Sequence, residues 1–340
     1  MVERLKHIEV IAPLRGDLAG GTLDIWPLYL LLERPSTINV ALSIYAKVKI
    51  DIRKDKKIVV VSKDRGKGIS FGSISEIHHR HILPLVTRIT AFFNPTMGLT
   101  IETDSEAPAG SGLGGSSALN IALCYALNLV TEKGYKKKEL QVIARNIEAR
   151  VLGVPAGEQD YFPPLYGSLS NIALNIDGVE RRGFKGAKLK ELEERLIIAY
   201  SGESRNSGIN NWEVYKGVIE GNKKLLTNLN ALARISEEVG RAIKDNDFDQ
   251  LGKLIQREWK KRKSLWGGIS TPKIEEIIAY SLSNGAMSAK VCGAGGGGCI
   301  LIYAAKGKKK ALADKLQEQG VRLLNSSIDK KGVRIIDRLE

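Results

Sequence analysis

The sequence predicts a two-domain α+β protein, and three observations carry that expectation. The chain has 340 residues, about two domains at roughly 150 residues each. Its first half reads as short β-branched strands interleaved with apolar helices, and its second half as a run of helices followed by a few strands. Twelve of its 35 glycines crowd into three segments that punctuate those elements: GDLAGGT (16–22), GSGLGG (110–115) and GAGGGG (293–298).

In chain order, residues 8–11 are apolar and short, which suits a strand. INVALSIYAKVKIDI (38–52) partly alternates and is β-branched, so it reads as a longer strand. The polar DIRKDKK (51–57) reads as a turn pairing that strand with a short one at 57–62. Residues 81–93 carry apolar positions at helical spacing, and 99–103 form a strand that runs into the second glycine loop. SSALNIALCYALNLV (116–130) is alanine-rich and apolar, as a buried helix would be. A further amphipathic helix is expected over 138–151, and strands over 167–176 and 196–200. The second half predicts helices at 211–220, 223–244, 248–263 and 271–284, separated by Gly, Asn and Asp. Strands at 289–292 and 299–304 flank the third glycine loop, and a helix (308–319) and a strand (332–337) follow. The polar stretch DGVERRGFKGAKLKELEER (177–195) marks the domain boundary, dividing the chain into 1–185 and 186–340.

Composition narrows the function class. Hydrophobic residues at 43% and charged residues at 26% exclude a disordered chain, a collagen and a coiled coil. No apolar run reaches about 18 residues, so no transmembrane helix and no membrane partner are expected. The start, MVERLKHIEV, is charged where a signal peptide would be apolar. Three cysteines (Cys124, Cys292, Cys299) suit a reducing compartment, so the expected location is cytoplasmic and the expected role of each is a small buried hydrophobe. The net charge is +14, but the basic residues are scattered in short clusters (136–138, 260–263, 308–310). A nucleic-acid partner would need them gathered on one face, so none is expected. Steering of an anionic substrate remains open. His78, His79 and His81 have metal-like spacing but no Cys or acid at ligand spacing, so no metal is expected there.

The glycine segments carry the chemistry. GSGLGG and GAGGGG both match G-x-G-x-x-G by letter. A dinucleotide site also needs a strand before the loop, a helix after it and an acid about 20 residues on. The third loop is followed by a strand, CILIYA, and the second by apolar residues up to Glu132. Neither loop has the Lys-Ser or Lys-Thr pair of a P-loop in register. The second loop still reads as a phosphate cradle, because glycine lets backbone N–H groups converge and a helix N-terminus adds a positive dipole end. Ser116 and Ser117 lie in the first turn of that helix, where a hydroxyl can act as N-cap or ligate the Mg²⁺ of a nucleotide. Two acids follow in IEARVLGVPAGEQD: Glu148, on the polar side of its helix, and Asp160, brought back by the GVPAG turn. Alone, each reads as a surface acid or a turn former. Beside a phosphate cradle, one carboxylate that can hold Mg²⁺ and one that can accept a hydroxyl proton are what phosphoryl transfer requires.

These segments together resemble the GHMP kinase superfamily. APLRGDLAGGTLD (12–24), PAGSGLGGSSA (108–118) and KVCGAGGGGC (290–299) are similar, in order, to that family's three motifs, the second with one added residue. Within the family, Arg15 and Asp24 of the first segment and the Glu148–Asp160 stretch look like the sugar kinases. PLR, AGG and LGKLIQREWKKRKSL, with Trp259 among basic residues, look most like the bacterial heptose 7-phosphate kinases and galactokinases. The resemblance implies an N-terminal domain with a left-handed βαβ crossover and a C-terminal ferredoxin-like domain, with the site between them.

It also implies roles. ATP phosphates would lie on Pro108, Gly110, Ser111, Gly112, Leu113, Gly114, Gly115, Ser116 and Ser117, and Mg²⁺ on Ser117 and Glu148. Asp160 would be the general base for a sugar hydroxyl, expected to be the anomeric one of a heptose 7-phosphate or related sugar. Arg15 would lower that hydroxyl's pKa and keep Asp160 ionised, and Asp24 would orient sugar hydroxyls. Gly295, Gly296 and Gly297 would bring backbone to substrate and phosphates where any side chain would clash. The small-molecule partner would be a sugar or sugar phosphate, and the protein a monomer or homodimer.

Three departures bear on the substrate. Asp17 puts a charge beside the sugar site, Leu23 is an insertion, and IWPLYLLLERPST (25–37) is unusually apolar where it would border the sugar. A kinase of an unphosphorylated sugar, a non-catalytic sugar- and ATP-binding regulator and a mevalonate-type kinase stay open as alternatives.

Overall fold

A computed structural model of the chain describes residues 5–78, 81–184, 187–204 and 209–339. The first part holds β1 (His7–Ala19), β2 (Ser36–Arg53), β3 (Ile58–Ser62), β4 (Lys67–Phe71), α1 (Pro84–Phe93), β5 (Gly98–Ser105), α2 (Gly115–Val130), α3 (Lys137–Leu152), α4 (Phe162–Tyr166), β6 (Leu169–Asn175) and β7 (Gly178–Gly183). The second holds α5 (Leu189–Glu193), β8 (Leu196–Tyr200), α6 (Ile209–Ile219), α7 (Lys223–Lys244), α8 (Phe248–Lys263), α9 (Pro272–Ser283), β9 (Ala286–Val291), β10 (Cys299–Ala304), α10 (Lys309–Glu318), β11 (Arg322–Leu324) and β12 (Arg334–Leu339).

Eight strands form the first sheet, ordered β12-β1-β2-β5-β3-β4, with β6 and β7 attached at the other end of β2. The length of β2 allows this. Its residues 46–53 pair with β5 and its residues 36–40 with β6. The expected pairing of β2 with β3 through the polar turn does not form. Instead β3 runs parallel to β5 and antiparallel to β4. The turn carries the chain over the start of β5, where the Gly98 and Leu99 amides donate to the Asp55 and Lys57 carbonyls at 3.1 and 2.9 Å.

The second sheet is antiparallel, ordered β11-β8-β10-β9. Strand, helices, two strands, helix and strand in that chain order, with the spatial order β11-β8-β10-β9, are the ferredoxin-like connectivity expected of the C-terminal part. The expected division between residues 185 and 186 falls outside the described residues, and the polar stretch around it folds in part as β7 and α5. From residue 327 the chain returns to the first sheet. Ile328 bridges Leu42, the Asp329 amide donates to the Ala41 carbonyl at 3.0 Å, and β12 pairs with β1.

β1 positions the site. Its second half is buried on both faces, so each of its charged side chains needs a buried partner. The apolar segment after it divides. Leu23, Ile25, Leu28 and Tyr29 enter the second hydrophobic core, whereas Trp26, Leu30 and Leu31 are exposed. Among the described residues, no helix is long and apolar enough to cross a membrane.

Candidate active site

The second glycine loop turns sharply. Gly110, Gly112 and Gly114 have φ of 72°, 77° and 72°, a region that favours glycine. Its carbonyls face the protein. Leu113 O accepts the Arg15 amide at 2.9 Å, Gly112 O accepts Arg15 Nη1 at 2.7 Å, and Ser111 O accepts the Cys299 amide at 2.6 Å. The Ser111 amide closes back on Pro108 O at 3.1 Å. Gly114 is the residue before α2, and no side chain caps the helix. The expectation that Ser116 might be the N-cap is therefore corrected: Ser116 and Ser117 sit inside the first turn. The first-turn amides of Gly115, Ser116 and Ser117 have no intrahelical acceptor, which suits an anion.

Asp160 lies against this loop. Arg15 donates to its Oδ1 from Nε and from Nη2, both at 2.7 Å. A Cβ on Gly114 would lie 3.3 Å from Arg15 Cγ and 3.7 Å from Asp160 Cγ. Arg15 thus ties loop, acid and strand into one unit. Its side chain is 2% exposed and that of Asp160 is 29% exposed, so the acid is the member that a ligand can reach. Burial works against the Arg15 charge, but Asp160 and Asp17 outweigh it and raise the guanidinium's pKa.

Asp24 is buried beside them. Its Oδ2 accepts the Gln159 amide at 2.9 Å, and its backbone carbonyl accepts the Glu158 amide at 3.1 Å. A Cβ on Gly157 would collide with the Asp24 carboxyl. Burial, reinforced by the Asp160 charge, pushes the Asp24 pKa up to about 7. Gln159 went unnoticed in the sequence. Its Nε2 reaches Asp24 Oδ1 at 3.4 Å, and its buried Oε1 has no hydrogen-bond partner among the described residues. No periodicity or spacing singles it out.

Glu148 is not the surface-side acid that the sequence suggested. It is buried, and it accepts the Tyr161 hydroxyl at 2.9 Å and hydrogen bonds from Ser116 and Ser117. The helix faces α2, so its polar stripe at this point meets the first turn of α2 rather than water. Burial raises the Glu148 pKa, and Asp160 adds to the rise against the lowering effect of the three hydroxyls. Tyr161, also unmarked in the sequence, is the third of those hydroxyls. Glu158, one position before Gln159, is buried in an ion pair with Arg145 and braces the turn that carries Asp160.

The third glycine loop closes the site from the second sheet, but not as expected. Gly295, Gly296 and Gly297 have φ of 80°, 78° and 136°. A Cβ on Gly295 would collide with the Ile269 carbonyl, and the Gly296 amide donates to that carbonyl at 2.9 Å. A Cβ on Gly298 would lie 2.6 Å from Ser111 O. The close approaches at Gly295 and Gly298 are to the protein's own backbone, and they bring the third loop against the second.

Asp17 also departs from expectation. It does not face the sugar space, because it is fully buried with Arg262 at 2.7 Å and Lys290 at 3.4 Å. Glu258 completes the group, 2.9 Å from Lys290 and 3.8 Å from Arg262. Burial works against the Asp17 carboxylate, but Lys290, Arg262 and Arg15 outweigh it and lower its pKa. Cys124, Cys292 and Cys299 are buried. His79 lies outside the described residues, and His81 Nε2 accepts the His78 amide at 2.9 Å.

The chain is similar to known proteins over nearly its whole length. The chain is 26% identical over 338 residues to D-glycero-alpha-D-manno-heptose 7-phosphate kinase of Campylobacter jejuni subsp. jejuni, covering 97% of this chain and 99% of the relative. It is 24% identical over 332 residues to mevalonate kinase of Saccharolobus solfataricus, covering 96% and 98%. Its fold is similar to that of Lactococcus lactis galactokinase complexed with galactose, with a TM-score of 0.79, 16% identity and coverage of 96% and 95%. The GHMP kinases N terminal domain matches residues 82–168, which span α1, the second glycine loop, Glu148 and Asp160, and the GHMP kinases C terminal domain matches residues 240–322, which contain the third loop. With both domains matched in order around one site, the chain belongs to the GHMP kinases.

Proposed function

We propose that this protein is an ATP-dependent sugar kinase that phosphorylates the anomeric hydroxyl of a heptose 7-phosphate or a closely related sugar. One observation supports this above the others: the carboxyl of Asp160 is held by Arg15 against the uncapped glycine loop, and it is the exposed end of an otherwise buried unit. The activity of the Campylobacter jejuni relative, a heptose 7-phosphate kinase, supports the choice of sugar.

The ATP phosphates rest on Gly110–Ser117, where glycine lets the backbone approach and the first-turn amides of α2 donate. Pro108 and Leu113 set the loop's path. Glu148 is a buried carboxylate whose main partners are three hydroxyls and a neighbouring acid, so an oxygen-seeking dication fits there. Ser117 and Glu148 would hold Mg²⁺, which supplies charge neutralisation on the phosphates when bound. Asp160 accepts the proton of the attacking sugar hydroxyl as its oxygen bonds to the γ-phosphorus and the bond to ADP breaks. Such base catalysis is worth roughly 10²–10⁴-fold. Arg15 fixes the orientation of Asp160 and places positive charge beside the transferring group. Asp24 accepts hydrogen bonds from the sugar's other hydroxyls, and the Gly295–Gly297 loop closes the cleft over the bound substrates.

The test is a mass-spectrometric screen of ATP and Mg²⁺ with unphosphorylated and phosphorylated hexoses and heptoses and with mevalonate. The expected outcome is one added phosphoryl group on a heptose 7-phosphate. Phosphorylation of mevalonate with every sugar untouched would overturn the reading.

A further inference from the structure

The buried Asp17–Glu258–Arg262–Lys290 group reaches the site through one side chain. Arg262 Nη1 donates to Asp17 Oδ2 at 2.7 Å. Its Nη2 donates to the Gly293 carbonyl at 2.6 Å and to Thr22 Oγ1 at 3.2 Å. Thr22 Oγ1 in turn donates to Asn211 Oδ1 on α6 at 2.8 Å. These acceptors lie on three different walls: the strand that carries Arg15, the turn that ends at Asp24, and the first residue of the third glycine loop. Arg262 comes from the last turn of α8, in the second part of the chain.

The surroundings fit the guanidinium closely. A Cβ on Gly21 would collide with Arg262 Nη1 and crowd the Asp17 carboxylate. Gly21 in the AGGT turn is thereby explained by Arg262 and not by a ligand. Lys290 and Glu258 complete a neutral interior group, so the Arg262 charge needs nothing further from the site.

We propose that Arg262 is a positioning residue for sugar binding, which sets Asp24 and the third glycine loop at a fixed separation across the cleft. This rests on the sugar-kinase reading above. A planar fork can serve three acceptors in different directions at once, and a lysine ammonium at the end of a flexible chain cannot hold the same geometry. Arg262 is buried and bonded to Asp17, Thr22 and Gly293, so it touches neither ATP nor sugar. It acts through Thr22 and Gly293.

Two variants test this. Arg262→Lys keeps the buried charge, and Thr22→Val removes the hydroxyl that accepts from Arg262 and donates to Asn211, at nearly constant volume. Hydrogen exchange of the protein without ligands is the first readout. The amides of residues 18–26 and 290–299 are expected to exchange about tenfold faster in Arg262→Lys, the scale of one lost hydrogen bond to a charged group, with those of α2 unchanged. The same two segments respond more weakly in Thr22→Val. Kinetics with D-glycero-D-manno-heptose 7-phosphate are the second readout. The KM for the sugar is expected to rise by about tenfold while the KM for ATP stays within about twofold. Exchange that rises evenly over the chain, or not at all, in both variants would overturn the proposal and leave Arg262 as an interior ion-pair partner. A wild-type protein that phosphorylates no sugar would remove the sugar-kinase reading, and the exchange result would still decide whether Arg262 fixes the two walls.

Discussion

Two charged clusters hang from one face of β1, and they are built oppositely. Arg15 and Asp17 are two residues apart, so the strand's alternation points them the same way. The Asp17 cluster holds two acids, Asp17 and Glu258, and two bases, Arg262 and Lys290, all fully buried, with ion-pair distances from 2.7 to 3.8 Å. Around Arg15 are three acids, Asp24, Glu148 and Asp160, and the Asp160 side chain is 29% exposed. The first cluster is neutral and sealed. The second carries excess negative charge and opens toward an uncapped helix N-terminus. An acid-rich group that the protein leaves unneutralised is where a dication and a proton-donating hydroxyl can enter. A neutral group of the same size holds walls together.

The largest expected effect separates the two by activity. Asp160→Asn removes the proton acceptor of the open cluster, and turnover should fall by roughly 10²–10⁴-fold with the KM for ATP little changed. Near-wild-type turnover in that variant would strip the open cluster of its chemical role.

The next separates them by stability. Asp17→Asn leaves Arg262 and Lys290 buried against one acid. Breaking a buried pair in this way costs about 3–5 kcal/mol, and urea unfolding should show it. A loss below about 1 kcal/mol, the range of an exposed pair, would mean that the sealed cluster is not sealed.

Asp24 sharpens the contrast through pH. Its pKa stands at about 7 in the folded chain, against about 3.9 when unfolded. Between those values the folded state binds more protons, so stability falls as pH rises from about 4 to about 7. At about 1.4 kcal/mol per pH unit the accumulated loss is on the order of 4 kcal/mol. Asp24→Asn should remove that fall, which a difference curve of unfolding free energy against pH would show. An unchanged curve would place the Asp24 proton elsewhere.

The smallest effect concerns the metal. Glu148→Gln should raise the Mg²⁺ concentration for half-maximal rate by on the order of tenfold. An unchanged magnesium titration would make Glu148 a buried brace for Tyr161 and the α2 hydroxyls, and nothing more.

Much of this molecule was legible in its residues, and the illegible parts share a cause. Helices α2, α3 and α6 to α10 and both strands beside the third loop follow from local apolar spacing, and most begin and end within two residues of expectation, whereas the short α4 and α5 were not foreseen. The glycine loops were legible because close backbone approach demands glycine wherever it occurs, and the Arg15–Asp160 partnership was legible only through the family resemblance. Strand pairing was not, since KGISF at β4 is polar and largely exposed and carries no alternation strong enough to mark a strand. Glu148 was misplaced because a helical period tells which residues share a face but not what that face meets. The Asp17–Arg262 pair spans 245 positions. Helical spacing from Leu251, Ile255 and Trp259 puts Arg262 on the buried face of α8, but only the folded chain shows which acid that face meets.

The central claim is that phosphoryl transfer takes place at the acid-rich cluster. It is tested most directly by a crystal structure with a non-hydrolysable ATP analogue, Mg²⁺ and the sugar. The account predicts phosphates on Gly110–Ser117, the ion against Ser117 and Glu148, and a sugar hydroxyl within about 3 Å of the Asp160 carboxylate. A sugar whose nearest hydroxyl lies beyond hydrogen-bond reach of Asp160, with the γ-phosphate turned away from it, would contradict it.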